Sequence, residues 1–503
     1  MACTDTEVLL FGFQSIAETI DVNYSDVIPG LVGLIPRINI SNAMLADTVM
    51  YTIGSLAEWL ADHPVMLGGM LQMVLRGLTK TELSVSSIST LKRICRECKH
   101  DLGPYAQDII TVSQDVLVKD VHKSSQCMWL MQALGLLLSA QPTEEILGSL
   151  HSIISPHIHQ LDTQAQEEPN PSSKQSIIQI LGMLSSLFST LDLSGCAGGS
   201  EEAASTRLTP PQDAQNPVVV VLREVFSLIQ TILSKWLHDS EVVEAVCGMF
   251  DKSVRTLLYD FGPLVAQLCE MLRWIYSSFP QASVLDLTRQ LVHVFAGEER
   301  HILDIRNLLE VLTSTTFSIF QQGPREHPDI AESFMHLHAK ILKRSPDLYQ
   351  SDQLDVDTLF YCGILSIKFL ETPTVKAACL FFTEFLCHCN DTAILGDVLQ
   401  RNGKLLTEAV LQAIGGGSSR SLTEHFSDVL LSLNKQCPAL LSEWMKETLQ
   451  NPGFPSAHVT SEQKHTFTQK ILRQQTNKHQ VKESVKEFAL LCRALQRSGY
   501  SEY

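Results

Sequence analysis

A helical apolar period, interrupted about every 40 residues and then resumed, runs through the whole of this 503-residue chain. Asp5–Ile20, Asn42–Ala61, Leu83–Cys98 and Val121–Ala140 each place apolar side chains three and four residues apart, which leaves one face to bury. After a short break each is followed by a second such stretch: Val27–Ile35, Val65–Leu78, Tyr105–Val118 and Glu144–Leu161. Two helices cannot enclose their own apolar faces, so each pair must stack on the next. A period of about 40–47 residues therefore predicts an all-α fold, a right-handed α-solenoid of HEAT or armadillo type. Such a fold works by presenting a long surface to partners.

The rhythm continues down the chain. Lys174–Leu191 pairs with Pro217–Leu237, Ser240–Leu258 with Leu264–Phe279, and Ser283–Phe295 with Ile302–Phe320. Pro328–Lys343 then pairs with Leu354–Phe369, Thr374–His388 with Leu395–Ile414, and Ser421–Asn434 with Leu440–Leu449. Asn170-Pro171 and Asn216-Pro217 read as helix starts, where proline gives up only a donor that would be unpaired anyway. The β-branched run Val218–Leu222 resembles a strand, but it continues with helical spacing after Pro217 and is assigned to helix. Ser194–Asn216 is small, polar and aperiodic, and is expected to be a flexible loop within one repeat. Gly415–Ser419 is expected to be a helix end and turn. No linker divides the array, so residues 1–503 are expected to form one solenoid.

The net charge of −17 argues against binding nucleic acid phosphates directly and favours encounter with basic proteins. Its distribution is uneven: residues 461–497 run against it, with eight Lys and Arg to three Glu. Ser461–Gln474 and Val481–Gln496 are therefore expected to be basic capping helices with a solvated outer face. Asp5 and Glu7 stand where a secretory signal would carry basic residues. The most apolar run, Ser124–Ala140, is interrupted by Gln126 and Gln132 and falls short of a membrane span, so no membrane insertion is expected. Thirteen cysteines, placed singly on apolar faces (Cys127, Cys247, Cys269, Cys379, Cys492), suit a reducing compartment.

Catalytic and cofactor motifs are weak. Cys95-Arg96-Glu97-Cys98 with His100 has zinc spacing, but a structural zinc needs four ligands, and Cys387-His388-Cys389 lies several repeats away. Gly415–Ser419 lacks the Gly-Lys-Ser/Thr ending of a phosphate loop. His157/His159 and His336/His338 are two apart and diverge around a helix. The expectation is no enzyme, no cofactor and no metal. Phe381, Phe382, Phe385, Trp236, Trp274 and Trp444 could anchor a partner, although helical spacing assigns most of them to the core.

Several long runs are distinctive: QCMWLMQALGLLLSA (Gln126–Ala140), PQASVLDLTRQLVHVFA (Pro280–Ala296), FQQGPREHPDIAESFMHL (Phe320–Leu337) and NPGFPSAHVTSEQKHTF (Asn451–Phe467). With Ala46–Pro64 and Asn216–Cys247, they resemble the importin-β superfamily of nuclear transport receptors, on the branch close to transportin-3. The resemblance implies a HEAT array that holds protein cargo on its concave surface and shuttles between cytoplasm and nucleus. It also implies release or exchange of cargo through the GTPase Ran, and passage by way of nucleoporins. It further implies that the chain corresponds to the C-terminal half of such an array, a truncated form in which Ran binding is weakened or lost. The other reading that the residues allow is a static HEAT scaffold that assembles a multi-subunit complex without GTPase gating.

Cargo would then meet the second helix of each pair. Polar residues on those helices are the candidate contacts: Asp108, Asp115, Glu224, Glu270 and Glu310, carboxylates suited to basic or nucleic-acid-associated proteins. No family motif fixes these five positions.

Overall fold

The computed structural model describes residues 2–17, 19, 27–38, 40, 42–193, 216–350 and 354–495. Among them there is helix and turn but no strand. The expected loop at 194–216 lies outside the described residues except for Asn216. The chain divides into two compact units, Met1–Leu264 and Val265–Tyr503.

The first unit opens with α1 (Ala2–Ala17), α2 (Val27–Leu34), α3 (Ala43–Ser55), α4 (Ala57–Asp62) and α5 (Leu67–Leu78). It continues with α6 (Ser84–Glu97), α7 (Ala106–Val118), α8 (Ser124–Ser139) and α9 (Thr143–Gln166). It ends with α10 (Pro171–Thr190), α11 (Pro217–Trp236) and α12 (Ser240–Leu257). Helices α1, α3, α6, α8, α10 and α12 pack side by side as a first row, and α5, α7, α9 and α11 as a second. The unit is thus two helices deep, an α-solenoid of HEAT type.

The second unit repeats the scheme with α13 (Val265–Ser278), α14 (Ala282–Phe295), α15 (Glu299–Gln322), α16 (Pro328–Arg344), α17 (Val356–Ile367) and α18 (Thr372–His388). There follow α19 (Ala393–Gln412), α20 (Thr423–Gln436), α21 (Pro438–Gln450), α22 (Ser461–Leu472) and α23 (Lys478–Cys492). Here α14, α16, α18, α20 and α23 make the first row and α13, α15, α17, α19 and α21 the second. Helix α22 packs against both α21 and α23.

The period seen in the sequence reappears in the long-range hydrogen bonds. Thr90 Oγ1 in α6 donates to the Met50 carbonyl in α3 at 2.7 Å, 40 residues back. Tyr276 in α13 and Thr316 in α15 share a buried 2.7 Å bond across the same interval. Lys404 in α19 reaches Glu447 in α21, 43 residues on, at 2.6 Å. One repeat forward is one helix sideways in the same row, so these side chains tie neighbours of a row together. Close approach needs small residues. A Cβ on Gly403 would collide with the Trp444 ring, so the α19–α21 contact depends on that glycine. Apolar packing joins the rows: Phe360 of α17 meets Phe382 and Phe385 of α18 edge to face, at 5.0 and 5.1 Å.

Three local features differ from the sequence reading. Asn42–Ala61 is not one helix: it bends at Leu56, where ψ rises to 5° directly after Gly54-Ser55. Gly415–Ser419 is more than a stop, since Ala413–Gly417 forms a π turn whose Gly416 has φ 137°, a conformation that only glycine takes readily. One helix, Pro217–Trp236, is long and apolar enough by length and composition to cross a membrane. Its run is broken by Arg223 and Glu224, but its apolar stripe from Val218 to Ile232 is buried. The Val218–Leu222 segment is helical as expected, with the Asn216 side chain capping the Val218 amide and Pro217 in the first turn.

Candidate partner-binding surface

The five carboxylates singled out from the sequence all lie on second-row helices and all are exposed. Asp108 and Asp115 stand on α7, Glu224 on α11, Glu270 on α13 and Glu310 on α15. They are not equivalent. Asp115 takes Lys119 one turn on at 2.7 Å, and Glu224 accepts from His151 Nε2 of α9 at 2.9 Å. Both pairs are solvent-facing, so each stabilises by about 0–1 kcal/mol and a stronger partner can displace it. Within the second unit, Glu270 and Glu310 lie on adjacent helices, since α13 packs on α15.

Side chains that the charge pattern did not point to complete this face in the second unit. Trp274, one turn beyond Glu270, is 38% exposed, and Leu303, two turns before Glu310, is 64% exposed. Tyr361 of α17 and Leu405 of α19 are also exposed. Large half-exposed apolar groups beside carboxylates suit a partner segment with aliphatic and basic side chains, since an Arg or Lys can lie on the indole face while its charge meets the carboxylate. Of the other aromatic candidates, Phe381, Phe382 and Phe385 are fully buried, and Trp236 and Trp444 nearly so. A periodic stripe does not tell an exposed tryptophan from a buried one; Trp274 stands out only because it falls on the polar side of α13.

Further along the same row, charges are paired across repeats. Arg401 of α19 meets Asp357 of α17 at 2.7 Å, and Asn402 Nδ2 donates to the same carboxylate at 2.8 Å. The Lys404 ammonium is held above its usual range, first by its hydrogen bond to Glu447, with Glu408 and Glu443 adding to the effect. Three carboxylates thus surround one lysine, which leaves this end of the row acidic.

The cysteine pair of the zinc-like spacing is turned inward. Cys98 Sγ donates to the Ala57 carbonyl at 3.4 Å, and burial pushes its thiol up to about 12. Cys95 is fully buried and its thiol is raised further. Among the described residues no three His, Cys, Asp or Glu side chains converge on a common point.

Comparison with known proteins accords with this architecture. Family models described as the third and fourth TPR domains of Transportin-3/Importin-13 match residues 25–112 and 216–320. Models described as Importin 13 repeats match residues 124–167 and 367–441. Importin-13 of Gallus gallus is 61% identical over 496 residues, or 99% of this chain and 52% of that one. The chain belongs to the importin-13 family. Importin-13 of Homo sapiens is 62% identical, over 99% of this chain and 51% of its own length. A solved structure titled importin-13 in its cytosolic state superposes with a TM-score of 0.87 at 25% identity, covering 97% of this chain and 55% of that one. A crystal structure of importin-β shares the fold, with a TM-score of 0.51 at 12% identity over 92% of this chain and 53% of that one.

The chain spans about half the length of the curated importin-13 relatives that it matches. That share is a fact about lengths. The expected truncation to a C-terminal half is not borne out by these matches.

Proposed function

We propose that the chain binds protein cargo on its exposed second-row face, as part of Ran-dependent transport between cytoplasm and nucleus. The observation that carries this reading is the identity of 61–62% to curated importin-13 proteins, sustained over 99% of the chain. Two-helix stacks offer extended surface and no catalytic cleft, so we read the chain as a binding protein and not an enzyme. The cargoes are basic or nucleic-acid-associated proteins. The acidic balance of −17 speeds their encounter, and the carboxylates Glu270 and Glu310 beside Trp274 and Leu303 hold them. Asp108, Asp115 and Glu224 serve in the same way in the first unit. Nucleoporins and Ran are the further partners, and the chain is found in both compartments. Residues 461–497 cap the array in this reading.

Coupling between Ran and cargo is mutual: if Ran-GTP weakens cargo binding, cargo weakens Ran-GTP binding by the same factor. The chain, immobilised and exposed to nuclear extract with Ran in its GTP or GDP form, should retain a set of basic proteins that differs between the two nucleotides. Identical retention with both forms of Ran and with a bare matrix would remove the transport reading. A static scaffold would retain its partners regardless of nucleotide.

A further inference from the structure

The opposite, first-row face of the second unit carries charge of the other sign. Arg289 and His293 of α14 stand against Lys340 and Arg344 of α16, with Lys343 alongside. Arg344 directs Nε and Nη2 at the Nδ1 of His293, at 3.2 and 3.0 Å. An imidazole nitrogen that accepts from a guanidinium is uncharged, so this pairing satisfies the donors of Arg344 without cancelling its charge. Arg289 meets Asp286 of its own helix at 3.4 Å and also faces Glu332 of α16. Glu384 of α18 is the acidic group that faces Lys340. Four cations therefore face three carboxylates, Asp286, Glu332 and Glu384, on a protein that is acidic as a whole.

Helix-end electrostatics account for only part of this. Lys343 and Arg344 occupy the last turn of α16, where the helix dipole favours cations. Lys340 lies a turn further in, and burial together with Arg344, Lys343 and Arg289 lowers its ammonium below the usual lysine range. Arg289 and Lys340 are half-buried, while Lys343 and Arg344 are exposed. At the other end of the same strip, Asp286 and Asp329 crowd Glu332, whose carboxyl is raised by burial and then by Asp286. The strip is thus polarised along α16, acidic near Pro328 and basic near Arg344.

We propose that the face formed by Arg289 and His293 of α14 and Lys340, Lys343 and Arg344 of α16 docks an acidic protein segment. Charge complementarity selects this occupant. A short run of Asp and Glu senses the local field within a Debye length of about 10 Å at 0.1 M salt. A long nucleic acid also meets the surrounding acidic surface of a chain with a net charge of −17, which opposes it. The face lies on the row opposite the cargo surface proposed above, so both can be occupied together.

The test uses the full chain and a fluorescent oligo-glutamate peptide of about ten residues, read by anisotropy at low and at physiological salt. The intact chain should bind, and affinity should fall as salt rises. Lys340→Glu/Arg344→Glu should weaken binding by about tenfold or more, and Lys340→Gln/Arg344→Gln by an intermediate factor. Lys80→Glu/Lys123→Glu changes the net charge equally, at exposed residues of the first unit, and should bind like the intact chain. Circular dichroism of each variant should match the parent, and the milder Gln pair keeps the comparison valid if the Glu pair unfolds. Equal losses in the two Glu variants, or no binding at low salt, would overturn the proposal. So would single-stranded DNA of equal charge binding as tightly as the peptide.

Discussion

The side-chain amide of Asn434, buried in α20, donates to the Ile471 carbonyl at 3.0 Å and so closes the C-terminal end of α22. The same Nδ2 group also lies 3.3 Å from the Leu472 carbonyl and 3.0 Å from that of Gln474. The Ile471 and Leu472 carbonyls belong to the last turn of α22, and that of Gln474 lies just beyond it. One amide of α20 thus supplements the Gln474 amide on Ile471 and serves the chain end of the helix.

Replacing Asn434 with Leu should therefore cost roughly 2–3 kcal/mol, because buried acceptors lose their donor. Asn434→Asp should cost more, since a carboxylate would face three carbonyls in a buried site. Hydrogen exchange across α22 is the direct readout. It should accelerate in both variants while α14 and α16 keep the parent's protection.

Two glycines should respond in opposite senses. Gly403→Ala drives a methyl into Trp444, and overpacking of this kind costs about 1–3 kcal/mol. Gly248 sits in α12 with open space around it, so Gly248→Ala should stabilise by about 0.5–1 kcal/mol through helix propensity and a less flexible unfolded chain. Urea unfolding of both variants beside the parent provides the check.

Acid should destabilise the protein in part through His338. This imidazole is fully buried, bonded through Nδ1 to the Tyr349 hydroxyl at 2.7 Å, and burial lowers its pKa to about 3. In the unfolded chain a histidine titrates near 6.5. Between these values the unfolded state binds the extra proton, so the stabilisation is complete above pH 6.5 and is lost as pH falls towards 3. From pH 6.5 to 5 the loss from this one group is about 2 kcal/mol. The neutral variant His338→Gln should shed that part of the acid sensitivity, measured as a flatter dependence of stability on pH. An unchanged slope would mean that His338 is reached by solvent.

Thiol chemistry should be selective. Of the eleven cysteines whose side chains are described, Cys387 is the exposed one. Cys95, Cys98, Cys127, Cys269, Cys362, Cys379 and Cys492 are buried, and burial raises each thiol. Alkylation followed by peptide mapping should find Cys387 modified first among these residues, and the buried set only after denaturation.

Much of the fold was legible because period alone specifies it. The apolar stripes of α6, α8, α16 and α18 place their own neighbours, since a stripe at helical spacing can be buried only by stacking. The π turn at Ala413–Gly417 was read as punctuation, yet it anchors the last helix. Arg493 of the last turn donates to the Ile414 carbonyl at 2.8 Å and to that of Ser418 at 2.7 Å. No local pattern links positions 75 and 79 residues apart. On the partner surface, exposure of the five carboxylates followed from helical phase. Their pairing did not: His151 belongs to the preceding second-row helix, and the register between α9 and α11 fixes its contact with Glu224.

The most direct measurement is hydrogen exchange on the chain alone and bound to a basic protein that it retains from nuclear extract. The account predicts protection on the second row of the second unit, strongest over α13 and α15 around Glu270, Trp274, Leu303 and Glu310. It also predicts that Glu270→Lys/Glu310→Lys lowers retention of that protein by about tenfold or more. Protection confined to first-row helices, with retention unchanged in the double variant, would contradict it.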